Sequence, residues 1–112
     1  MLPLRLGPDR SRLRVLCLGA HGDDIEIGCA GTLLRWMREF DRVEVGWAVF
    51  SASGSRGEEA RASAEDLLRP AASTEIVLGD FHDAHLPADF ARAKAFAAEL
   101  RQRIDPDVVL TH

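Results

Sequence analysis

Aromatic side chains are scarce in this sequence, at 6% of 112 residues, and cysteine occurs only twice. Cys17 and Cys29 lack CxxC spacing, and two thiols cannot build the disulfide framework of a small secreted domain. Both fall in apolar-periodic segments, which predicts buried free thiols. Excess basic charge is also missing. Fourteen Lys plus Arg stand against eighteen Asp plus Glu, for a net charge of −4. No basic stripe is present to follow a phosphate backbone, so nucleic acid is excluded as an expected partner. No apolar run approaches the ~20 residues that span a bilayer. The opening stretch MLPLRLGPDR lacks the basic, apolar and small-residue regions of a secretory signal, so the expectation is a cytoplasmic protein with no membrane partner. What remains is 46% hydrophobic and 29% charged, a globular rather than a disordered profile, with length for one core.

The hydrophobic period alternates between strand and helix values. Arg14 to Gly19 is a continuous apolar run of strand length. From Glu26 to about Phe40, Ile27, Ala30, Leu33, Leu34, Met37 and Phe40 recur at three and four, predicting a helix with these residues on its buried stripe. Val43 to Ser51 reads as a second strand, SASGSRG as its breaker, and Glu58 to Leu68 as a helix closed by Pro70. Glu75 to Leu78 is a third strand. A polar loop, GDFHDAHLPAD, precedes a helix from about Asp89 to Ile104, and Val108 to Thr111 is a fourth strand. Strands separated by such helices imply right-handed βαβ units and a doubly wound parallel α/β sheet. The expected strand order is 3-2-1-4, with ligands outside the carboxyl ends of the strands, at the switch point between strands 1 and 4.

At that end of strand 1 the sequence reads Gly19-Ala20-His21-Gly22-Asp23-Asp24-Ile25-Glu26, one His and two Asp within four residues. An imidazole and a carboxylate are both zinc ligands, and a second carboxylate can take a proton from the attacking water. The spacing suits metal-assisted hydrolysis. The structural alternative makes Asp23 or Asp24 a helix N-cap and His21 a packed strand-end residue. A dinucleotide fingerprint does not fit. Gly19, Gly22 and Gly28 have the wrong intervals for GxGxxG, and two carboxylates would repel phosphates. GxxxxGK[ST] and GxSxG are absent as well.

The run His21-Gly22-Asp23-Asp24-Ile25-Glu26-Ile27-Gly28-Cys29-Ala30-Gly31-Thr32 resembles the signature AHPDDE…GCGGT of the PIG-L or LmbE-like zinc-dependent N-deacetylases, whose fold is Rossmann-like. Gly22 replaces the usual Pro and Ala30 the usual second Gly. The resemblance continues through Phe50-Ser51-Ala52, Arg56, Glu59, Asp83, Leu86-Pro87 and Pro106 to His112. It implies that His21 and Asp24 ligate zinc, and that Asp23 is the catalytic general base. The implied substrate is an N-acetylated sugar or glycoconjugate of the N-acetylglucosamine type. Arg56 and Asp83 then bind substrate, although a solvated Arg56 and a turn-forming Asp83 are the bland alternatives. His82 and His85 read as surface residues.

Family members carry a third zinc ligand and an oxyanion-stabilising His in a downstream HxDH segment that these 112 residues do not contain. The expectation is one Rossmann-like domain over 1–112, the N-terminal portion of a longer deacetylase. His112, at the end of strand 4, is expected to line the site, and its ligation of the metal stays open. A second reading is a non-catalytic binding or assembly module with an incomplete metal site.

Overall fold

The structure, a computed structural model, describes residues 1–3 and 5–112. The order of elements is β1 (Leu13–Gly19), α1 (Asp24–Glu39), β2 (Val43–Val49), α2 (Gly54–Leu67), β3 (Ser73–Leu78), α3 (Phe90–Ile104) and β4 (Val108–Leu110). All strand pairs are parallel, in the order β3-β2-β1-β4, as the alternation of periods implied. No helix among the described residues is long and apolar enough to cross a membrane.

The central strands β1 and β2 are largely apolar on both faces because both faces are covered. On one face Leu13, Val15 and Cys17 of β1 and Val43, Val45, Trp47 and Val49 of β2 pack with Ile25 and Leu33 of α1 and Ala64 of α2. The alternate residues Leu16 and Ala48 meet Leu100, Phe96 and Ile104 of α3 on the other. Small residues decide how closely α3 approaches. A Cβ at Gly46 would strike the Ile104 side chain. Gly57, in the first turn of α2, likewise lies so near the Ala52 carbonyl that any larger residue would displace the turn carrying Arg56. The central strands form the deep core, whereas β4 is an edge of three residues with Val109 45% exposed.

A clamp at its start compensates for the shortness of β4. The Asp107 N–H donates to the Arg14 carbonyl at 2.9 Å, and the Arg14 N–H donates to Asp107 Oδ2 at 2.8 Å. The Arg14 guanidinium also pairs with Asp105, which closes α3 in the left-handed region at φ 47°.

Three details differ from the sequence reading. Helix α1 begins at Asp24 rather than Glu26, and its buried stripe keeps Leu33, Met37 and Phe40 but starts from Ile25, 2% exposed, instead of Ile27, 81% exposed. Either isoleucine fits a helical stripe with Leu33, and contact with the sheet selects the one running through Ile25 and Cys29. Helix α2 begins at Gly54, inside the stretch read as a breaker, because Gly54 adopts φ 63° and turns the chain into the helix. Arg56 is consequently a helical residue. Strands β2 and β4 end at Val49 and Leu110, short of Ser51 and Thr111, and β3 begins at Ser73. Both cysteines are free; Cys17 is buried, which pushes its thiol up to about 12, and Cys29 is half-buried.

Candidate functional site

The carboxyl ends of β1, β2 and β3 are stitched together by backbone hydrogen bonds. Phe50 and Ser51 donate to the carbonyls of Gly19 and Ala20, each at 2.9 Å, and Phe81 donates to Phe50 at 3.1 Å. Beneath them Phe50, Phe81 and Phe96 form a ring cluster with centroids 5.0 to 5.5 Å apart. This apolar floor fixes the loop after β3 against the loop after β1, and so brings Asp83 to His21 across 62 positions of sequence.

His21, Asp23 and Asp24 all lie where β1 gives way to α1. Asp24 is half-buried, and its Oδ2 accepts the His21 backbone N–H at 2.8 Å. The same oxygen is 3.6 Å from His21 Nδ1 and 3.5 Å from His112 Nε2. His21 Nε2–H donates to Asp83 Oδ1 at 2.6 Å. That bond is the main cause of two opposite shifts. It raises His21 above the ordinary histidine range and lowers Asp83 below the ordinary carboxylate range. The pair therefore favours folding between the two shifted values. Its contribution fades as pH rises through the raised histidine value, and as pH falls through the lowered Asp83 value. In a proton NMR titration the His21 midpoint is expected above about 6.5, returning toward that value in Asp83→Asn. An unchanged midpoint in the variant would show that Asp83 does not govern His21.

Asp23 occupies the N-cap position of α1, yet its side chain makes no capping hydrogen bond. It lines a cavity of about 460 Å3 together with His21, Glu26, Ser51, Arg56 and Asp83. That volume is within the ~300–1,000 Å3 of small-molecule sites. Glu26 Oε2 and Ser51 Oγ, in residues of its wall, are buried without a hydrogen-bond partner. Unmet capacity of this kind costs stability and calls for a functional account. Arg56 is exposed at the rim, near enough to Asp83 to help hold its carboxylate charged. The sequence reading did not single out Ser63, which shares this wall. With Arg56, Glu59 and Ala60 it recurs at three and four along α2, a polar-to-small stripe that marks one helical face. His82 and His85 are exposed, with ring centroids 5.9 Å apart, as surface residues should be.

The donor set can be tested against zinc. In a tetrahedral site with bonds of about 2.0–2.1 Å, neighbouring donors lie about 3.3 Å apart. The two separations from Asp24 Oδ2, 3.6 Å to His21 and 3.5 Å to His112, approach that edge, and the nitrogen and oxygen chemistry is suitable. The third edge is not closed: among the described residues no three His, Cys, Asp or Glu side chains are gathered as a metal-holding group. No protein-family model matches the chain, and no curated protein matches it.

Proposed function

We propose that this chain belongs with the PIG-L or LmbE-like deacetylases and is a zinc-dependent hydrolase that removes an acetyl group from an N-acetylated sugar or glycoconjugate. One observation carries the reading: His21 and Asp24 stand 3.6 Å apart at the switch point, while the neighbouring Asp23 carboxylate is uncommitted to a cap and borders the cavity. Zinc, when bound, supplies Lewis acidity toward the amide carbonyl and lowers the pKa of water toward ~7. His21 Nδ1 and Asp24 are the residues that would hold it. Asp23 takes the proton of the attacking water and returns it to the departing amine. Arg56, with five N–H donors at the rim, binds hydroxyl or carboxylate groups of the substrate, and Asp83 offers its remaining oxygen beside it. Free thiols suit a reducing compartment, and we place the activity in the cytoplasm.

The open third edge favours a second reading, a non-catalytic binding module on the same fold. Incubation of the zinc-supplemented chain with N-acetylglucosamine conjugates separates the two. Deacetylation releases acetate and a free amine in equal amounts, whereas a binding module protects against thermal unfolding without releasing either. Asp24→Ala is expected to abolish stoichiometric zinc in the purified protein. Equal zinc in variant and parent would remove Asp24 from the metal site.

A further inference from the structure

We infer that an apolar cavity beside the candidate site receives the acyl chain of the substrate, and that the preferred substrate is an N-acyl amino sugar whose acyl group is longer than acetyl. The inference rests on the reading above for the reaction, in which water adds to the amide carbon, the C–N bond breaks, and a carboxylate and an amine are released. It adds the class of acyl group. The cavity measures about 370 Å3 and lies between the carboxyl end of β1, the start of α3 and the residues after β4. Its apolar walls are Leu18, Phe50, Leu86, Pro87, Phe90 and Ala93, with Thr111 and His112 the only polar side chains. No carboxylate or guanidinium lines it, so sugar hydroxyls placed there would lose water without gaining enough partners. An acyl chain has no such loss. Phe96 meets the Phe50 ring edge-on at 5.0 Å and fixes that wall in place, while Phe90, 70% exposed, continues the apolar surface outward.

This cavity and the polar one flank a single short turn. Gly19 and Ala20 line the apolar cavity, and the next two residues, His21 and Gly22, line the cavity that Arg56 and Asp83 border. His112 connects the apolar side to the site, because it lines that cavity and its Nε2 lies 3.5 Å from Asp24 Oδ2. An amide held at His21 and Asp24 therefore has a hydrogen-bonding cavity on one side for its sugar and an apolar cavity on the other for its acyl group. The methyl of an acetyl group would leave most of the 370 Å3 unfilled.

Binding of N-acetyl-, N-butanoyl- and N-hexanoylglucosamine to the full chain, measured calorimetrically with and without Zn2+, tests the cavity apart from turnover. Each buried methylene should tighten binding by up to about fourfold, so the hexanoyl compound should exceed the acetyl one by at least about tenfold. Ala93→Phe fills the cavity and Phe90→Ala removes a wall; each should lower the hexanoyl-to-acetyl ratio by at least about threefold. A ratio, unlike either affinity, does not move with a uniform loss of folded protein. Lys94→Ala, exposed on α3 outside the lining, should keep the parental ratio. No hexanoyl binding in either condition, or a parental ratio near one, overturns the inference. So does a high ratio that survives both Ala93→Phe and Phe90→Ala, since the acyl chain then binds elsewhere. Amine release from the same compounds is scored separately. A high ratio that both variants lower, without amine release, supports the acyl cavity and removes the hydrolase reading; amine release with a ratio near one keeps that reading and removes the cavity.

Discussion

Asp23→Asn is expected to lower turnover by about 10²–10⁴-fold, the usual contribution of a positioned general base, while zinc content stays at the parental level. The amide oxygen and nitrogen keep the shape of the carboxylate but cannot accept the proton that the attacking water must lose. Little else should change. The Asp23 side chain caps no helix, so its replacement removes no hydrogen bond that α1 depends on, and the Asp23 carbonyl still accepts the Ile27 N–H at 3.0 Å. Acetate release by the zinc-loaded variant, set beside its metal content, is the decisive measurement. A near-parental rate would take the base role from Asp23, and a parallel loss of zinc would make it a ligand instead.

Trp47→Ala should have the largest effect on the fold, a loss of about 3–5 kcal/mol, because truncating a buried aromatic removes both its transfer free energy and the packing around it. Trp47 is fully buried in β2, between β1 and β3, and belongs to the cluster beneath α1 and α2. Domains are commonly stable by only about 5–15 kcal/mol, so the variant should unfold at much lower urea. Trp47→Phe gives a useful contrast. The indole Nε1 is buried with no hydrogen-bond partner, so Phe keeps much of the ring burial while deleting a donor that is costly to hold there. Its loss should be well below that of Ala. Equal losses would mean that the indole N–H finds a partner in solution.

The sheet and its strand order were legible because period changes in the sequence are reports of burial. Apart from Arg14 and Glu44, the residues from Arg14 to Gly19 and from Val43 to Val49 are apolar or glycine because helices cover both faces of these strands, and the intervening helical segments are long enough for parallel crossovers. Element edges were harder to read. Ile25 and Ile27 are chemically alike and both fit a helical stripe; only docking on the sheet distinguishes the one at 2% exposure from the one at 81%. Gly54 looked like punctuation, and its positive φ does turn the chain, but the turn leads into α2 rather than ending in a loop.

The candidate site shows the same division. His21, Asp23 and Asp24 are sequence neighbours, and their placement followed from locating one strand end. The approach of His112 to Asp24 followed in outline from the order of the strands. The bond between His21 and Asp83 did not. It depends on where a loop after β3 settles, and that is decided by the packing of Phe50, Phe81 and Phe96, with Arg92 stacked 4.2 Å over the Phe81 ring.

The position of β4 has a kinetic consequence. Leu13 pairs with Val43, 30 positions on, whereas Val15 pairs with Val108, 93 positions on. Closing the longer loop costs about 1 kcal/mol more in chain entropy, and only three residues of strand repay it. The β1–β2–β3 unit with its two crossover helices should therefore assemble first, and β4 should dock last, led by the Arg14 clamp. His112 reaches Asp24 only on completion of that step. Substitutions in β4 that weaken this least local contact should therefore speed unfolding more than they slow folding.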